Sequence, residues 1–290
     1  MPAVEIRIET PAGTFAGINY GGSGPDCLLI HGTGQNALAW RAFAQDFTQG
    51  YRAAAFDMRG HGQTQAESAD PEQYWRDIGP IADALGMATP IIIGHSTGAY
   101  AAVAHVAAGG AARALVCIDG FTLDDRPPLV EDWAATNTML FDLFRYGWKA
   151  TETERDAYIE QCVRTAPDDA FNVGIAPSLL RAMLIRCFVQ LNDGWMRRPT
   201  MEEIKVVSSP PPGARIAPHR AIYDQIDAPM LMVWSKHGLS AGRLDEVAAV
   251  ASAASERSLV EIDASHNVPM QRPTELARVV SGNLDMLMSR

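Results

Sequence analysis

"PIIIGHSTGAYAAVAHVAA", residues 90–108, decides how this chain folds. A continuous apolar run, the mark of a strand buried on both faces, passes directly into Gly94-His95-Ser96-Thr97-Gly98 and then into an Ala-rich helical stretch. Glycines two residues before and two after Ser96 permit a turn too tight for Cβ atoms at those positions. Such a turn lifts the serine hydroxyl off the sheet edge, where the next helix presents its free N–H groups. Ser96 is therefore the candidate nucleophile.

Working outward, the same kind of short apolar run recurs as "CLLI" 27–30, "AAAF" 53–56, "ALVCI" 114–118, "MLMVW" 230–234 and "LVEI" 259–262. Helical patterns at 37–48, 71–86, 96–108, 239–255 and 273–288 separate most of them. Strand alternating with helix implies a mostly parallel sheet covered on both faces. The first twenty residues alternate with period two and suggest an antiparallel hairpin at the sheet edge. The alternation stops between Ile118 and Met230. Residues such as Leu180, Met183, Leu184, Cys187, Phe188 and Leu191 repeat there at helical spacing. Ten of the chain's 22 aromatics fall within 121–218, and prolines at 127–128 and 210–212 bracket the segment. The expected organisation is an α/β core of residues 1–120 and 219–290, with a helical cap, 121–218, inserted after the sixth strand. The cap is expected to lie over the strand ends where open α/β sheets bind ligands.

A serine hydroxyl needs a base to remove its proton. "LVEIDASHNVPMQRP" offers His266 in a polar loop after the last strand, late in the chain. His31 and His95 lie in tight turns, His61 in "RGHG", His105 on a helix, and His219 and His237 in loops, none where the base is expected. "LLIHGTG" after one strand and the elbow after another can each turn a backbone N–H toward the serine. Those of Thr33 and Thr97 are the candidate oxyanion donors.

Taken in order, HGTG, DMRGHGQT, GHSTG and SHNVPMQRP resemble the motifs of the α/β-hydrolase fold family, specifically its capped esterase, lactonase and C–C hydrolase branch. The resemblance covers almost the whole chain, although the cap carries no motif of its own. It implies that Ser96 is the nucleophile and His266 the base. A serine rather than an aspartate at the elbow argues against dehalogenase and epoxide hydrolase chemistry. The resemblance also implies an acid just after the penultimate strand, but "WSKHGLS" has Lys236-His237-Gly238 there and no carboxylate before Asp245. A minority of the family carries the acid one strand earlier, where this chain has Asp119. Asp124 and Asp125 lie further along the same loop. Asp263 reads as a brace of the histidine loop and Asp57 as a structural anchor.

The expected activity is cleavage of a carboxylic ester or lactone through an acyl-enzyme, with no metal and no organic cofactor. Alternatives are a C–C bond hydrolase acting on a vinylogous diketone, or a ligand receptor of the same fold with little turnover. His95, Trp133, Phe141, Phe144, Trp148 and Trp195 are candidate pocket residues, suggesting an apolar or aromatic small-molecule substrate. The chain has 290 residues, 47% of them hydrophobic, and a net charge of −10, which disfavours nucleic acid and anionic membranes as partners. Four scattered cysteines, no apolar leader and no bilayer-length apolar stretch suggest a soluble, cytoplasmic protein. The oligomeric state is left open, a homodimer among the options.

Overall fold

The computed structural model describes residues 3–124, 133–208, 213–216 and 219–288, with the side chains of 133–137 and 208 also outside the description. The strands are β1 (Val4–Thr10), β2 (Gly13–Gly21), β3 (Asp26–Ile30), β4 (Arg52–Phe56), β5 (Ile91–His95), β6 (Ala114–Ile118), β7 (Lys149–Ala150), β8 (Phe188–Leu191), β9 (Gly194–Arg197), β10 (Met230–His237) and β11 (Arg257–Ser265). Eight form one sheet in the order β1-β2-β4-β3-β5-β6-β10-β11. Strand β2 is antiparallel to both β1 and β4, and every other pair is parallel.

The continuous apolar runs are explained by burial on both faces. Leu28, Ile30, Ile92 and Leu115 enter one core cluster, while Cys27, Leu29, Ile91, Ile93 and Val116 enter another across the sheet. The helix Thr97–Ala107 reaches the sheet closely because its second residue is glycine. A Cβ at Gly98 would lie 2.3 Å from the Ile30 carbonyl oxygen, and one at Gly94 would lie 2.4 Å from the Gly98 carbonyl oxygen. The stretch read as one helix over 71–86 is two, Gln73–Arg76 and Ile78–Ala84.

Between β6 and β10 the chain builds helices Trp133–Phe144, Glu152–Thr165, Pro177–Arg186 and Met201–Ser208, together with a small antiparallel sheet ordered β7-β9-β8. The helical period of 180–191 therefore ends at Arg186. Phe188–Leu191 instead pairs with β9 across an Asn192-Asp193-Gly194 turn, a strong hairpin signal. Asp125 and the bracketing prolines at 127–128 and 210–212 lie outside the described residues.

A buried charge ties the inserted segment to the core. Arg186 Nε bonds both oxygens of Asp57 at 3.1 and 3.0 Å, and its Nη1 reaches both Glu5 oxygens at 2.7 Å. Asp57 also accepts from Ala37 N and Gln63 N at 2.8 Å each, which fixes the loops after β3 and β4 under that segment. Among the described residues no helix is long and apolar enough to cross a membrane.

Candidate active site

Parallel strands bring their C-terminal ends to one edge, and the residues singled out by sequence follow four of those ends. Thr33 comes after β3, Ser96 after β5, Asp119 after β6 and His266 after β11. Ser96 has φ 51° and ψ −120°, a conformation that L-residues rarely adopt and that is stabilised here by tight packing. The Ser96 N–H donates to the Ile118 carbonyl at 3.0 Å. A Cβ at Gly120 would lie 2.4 Å from the Ser96 carbonyl oxygen, and one at Gly32 would lie 3.0 Å from Ser96 Cβ. The elbow is thus wedged between the loops that follow β3 and β6.

Asp119 also has a positive φ, 42°, and is 1% exposed. Its N–H continues the ladder onto β10 by donating to the Val233 carbonyl at 3.0 Å. Its carboxylate is carried to the end of that neighbouring strand, where Oδ2 accepts from His266 Nδ1 at 2.6 Å and from Leu239 N at 3.0 Å. A Cβ at Gly238 would lie 2.1 Å from the same Oδ2. The missing side chain of Gly238 is therefore the space that the acid occupies. Donation from Nδ1 leaves His266 Nε2 as the basic nitrogen. Neither Ser96 Oγ nor His266 Nε2 has a hydrogen-bond partner among the described residues, and such contacts commonly tighten only with substrate bound.

The Thr33 and Thr97 hydroxyls bond each other at 2.5 Å, clamping the two loops that carry the candidate oxyanion donors. Among the described residues neither backbone N–H has an acceptor, as is usual for the first residue of a helix such as Thr97.

A family model described as the alpha/beta hydrolase family matches residues 27–279. The chain belongs to that family. Among solved structures, an E-2-(acetamidomethylene)succinate hydrolase aligns with TM-score 0.76 at 18% identity over 98% of this chain and 99% of that one. An enol-lactonase from Burkholderia xenovorans LB400 aligns with TM-score 0.70 at 18% identity over 97% and 100%. At such identities the likeness concerns the fold alone. Among curated proteins, protein phosphatase methylesterase 1 of Mus musculus is 35% identical over 124 residues, 40% of this chain and 32% of that protein. The chain spans about a third of the length of the curated relatives it matches.

Within this alpha/beta hydrolase the other candidates are distributed unevenly. His95 lies against His266, with ring centroids 4.7 Å apart. It is 1% exposed, burial holds its imidazole well below the usual histidine range, and its neutral ring donates from Nε2 to the His266 carbonyl at 2.8 Å. Trp148 and Trp195 join an apolar cluster that the inserted segment shares with Ala39 and Met270 of the core, Trp148 edge-on to Tyr158 at 5.6 Å and Trp195 under the Arg155 guanidinium at 4.0 Å. Phe141 lies beneath the Arg145 guanidinium at 5.5 Å. The Trp133 side chain lies outside the described residues. Among the described candidate Trp and Phe side chains, only Phe144 connects with His266, through Phe171, whose ring stands edge-on to His266 at 6.1 Å.

Asp124 is exposed and accepts from Arg220 N at 3.0 Å, beside a groove of about 330 Å³ whose lining includes neither Ser96 nor His266. Asp263 pairs with His237 at 3.1 Å on the surface. Asp245 sits in the first turn of the helix Leu244–Ser252. Among the described residues no three His, Cys, Asp or Glu side chains cluster as metal ligands.

Two buried amides near the site carry no sequence motif. Gln35 Oε1 accepts from Gly32 N at 3.2 Å, and its Nε2 donates to Asn267 Oδ1 at 2.8 Å. Asn267 Nδ2 in turn donates to the Phe171 carbonyl at 2.7 Å. This relay joins the loop after β3, the histidine loop and the inserted segment. Its one sequence cue is a polar amide directly after His266.

Proposed function

We propose that this chain is a serine hydrolase of carboxylic esters or lactones, with Ser96, His266 and Asp119 as its triad. The observation that carries the reading is the 2.6 Å bond from His266 Nδ1 to a buried carboxylate beside a serine on a strained elbow. The similarity over 40% of the chain to a protein named a methylesterase supports an ester over other acyl bonds.

In this reading Ser96 Oγ attacks the carbonyl carbon while His266 Nε2 takes its proton. Asp119 holds Nδ1–H and stabilises the imidazolium that forms. The N–H groups of Thr33 and Thr97 receive the oxyanion, where preorganised donors lower the barrier most. Collapse of the tetrahedral intermediate breaks the bond to the leaving oxygen, and His266 gives that oxygen the proton. Water then attacks the acyl-enzyme with His266 again as base, releasing the acid and restoring Ser96. No step calls on a metal or organic cofactor. A soluble, cytoplasmic setting with a small-molecule partner fits the same reading.

The test is covalent labelling. A fluorophosphonate should modify Ser96 in the native protein and leave Ser96→Ala unlabelled, with the site assigned by peptide mass spectrometry. Modification of another residue, or none, would reject the reading.

The amide relay supplies a second expectation. Gln35→Leu should release the Gly32–Thr33 turn and lower kcat about tenfold, part of the few kcal/mol that an oxyanion donor supplies. KM should move less than about twofold, because that donor strengthens its bond only as charge develops. Steady-state kinetics on a short-chain ester measures both.

A further inference from the structure

Three aromatic rings link the two sides of the reaction centre. Tyr146 is 5% exposed, and its hydroxyl fills the space over Gly34, where a Cβ would come within 2.2 Å of it. Gly34 directly follows Thr33, so the Tyr146 end of the row lies on the oxyanion loop. Phe144 stacks on Tyr146 with centroids 5.3 Å apart and planes at 22°. Phe171 stands edge-on to Phe144 at 6.0 Å and 70°, and edge-on to the His266 imidazole at 6.1 Å and 83°. The row therefore runs from the oxyanion loop to the base.

The Phe171 end is held rigidly yet left open. Its N–H donates to Asp169 Oδ1 at 2.8 Å and its carbonyl accepts from Asn267 Nδ2 at 2.7 Å. Even so, 36% of this large apolar residue faces solvent. A fixed, exposed ring beside the base is a contact surface for an apolar ligand group, and edge-on or offset aromatic partners suit it best.

We propose that Phe171, with Phe144 behind it, forms the subsite for the alcohol part of the ester and selects a flat aromatic alcohol. The assignment rests on the serine-hydrolase reading. It follows from proton transfer: His266 must protonate the leaving oxygen, so the leaving group has to lie against the ring that Phe171 abuts. The acyl part, bonded to Ser96, stays on the other side of the carbonyl. At the far end of the row, burial pushes the Tyr146 phenol up to about 12.

Benzyl acetate, ethyl acetate and ethyl phenylacetate separate the two sides of the ester. Benzyl alcohol and ethanol are similar leaving groups, so their rate ratio reports contact with the ring rather than bond strength. The native protein is expected to prefer benzyl over ethyl acetate in kcat/KM by about tenfold, the scale of one well-made aromatic contact with its burial. Phe171→Ala should bring that ratio close to one, Phe171→Tyr should keep it, and the ratio of ethyl phenylacetate to ethyl acetate should be the same in all three proteins.

A benzyl preference that survives Phe171→Ala with an unchanged Tm would overturn the subsite. So would a loss confined to ethyl phenylacetate. Fluorophosphonate labelling of Ser96 is read in parallel. Normal labelling with an unmoved benzyl ratio defeats the subsite alone, whereas absent labelling defeats the hydrolase reading and the subsite together.

Discussion

Asp119→Ala is expected to lower kcat/KM ~10,000-fold, the scale seen when a triad acid is removed outright. Asp119→Asn should cost only about 100-fold, the worth of one charge-assisted hydrogen bond. The difference follows from how the carboxylate is held. Oδ2 accepts both the Leu239 N–H and the His266 Nδ1–H, whereas Oδ1 has no hydrogen-bond partner among the described residues. An asparagine placed there keeps its carbonyl oxygen on the two donors and turns its amide nitrogen to the Oδ1 side. The imidazole then retains the tautomer with a free Nε2, and only the negative charge behind it is lost. Where a triad acid holds its histidine through an oxygen that the amide cannot reproduce, asparagine selects the wrong tautomer and the loss is far larger. Asp124→Asn and Asp245→Asn, both remote from His266, should stay within about twofold of native. Equal losses in Asp119→Ala and Asp119→Asn would show that the carboxylate is held differently. Full activity in both would remove Asp119 from the triad.

The order of strands, the elbow and the histidine loop were legible because each is a local signal. An apolar run, a glycine pair and a polar loop keep their meaning whatever surrounds them. The contact of Asp119 with His266 was legible only by comparison with a pattern, since Asp119 alone is one polar strand end among several. The reason Asp119 can reach His266 was not legible. It depends on the N–H of Asp119 extending the ladder to Val233 and on empty space at Gly238, more than a hundred residues away. The enclosure of His95 was not legible for a related reason. Its ring lies 4.7 Å from the His266 imidazole but is closed in, because its Nε2 bonds the His266 carbonyl, a partner 171 residues along the chain. Phe171 sits in "PDDAFNVG", a loop without periodicity, so nothing in the sequence ranked it above the other aromatics. Arg186 did leave a trace: a cation in the apolar stretch "AMLIRCF" needs a buried partner, and Asp57 supplies it.

Gly238→Ala should be nearly as damaging as loss of the acid itself, although it adds only a methyl group. The new Cβ would lie 2.1 Å from Asp119 Oδ2 and 2.4 Å from Cγ, so the carboxylate must move or β10 must end differently. Neither adjustment is easy, because Asp119 is anchored by its own N–H and is fully enclosed. Displacing the acid by about an ångström should lower kcat/KM at least ~100-fold, and the overpacking should reduce stability by about 1–3 kcal/mol. The informative measurement is the double variant. If the methyl acts by evicting the carboxylate, Gly238→Ala should cost little further activity or stability once Asp119→Ala has emptied the space, so the two losses should be strongly non-additive. Additive losses in kcat/KM and Tm would mean that Gly238 serves only the turn after β10. Non-additivity would make Gly238 the residue that lets an acid carried on β6 work at the end of β10.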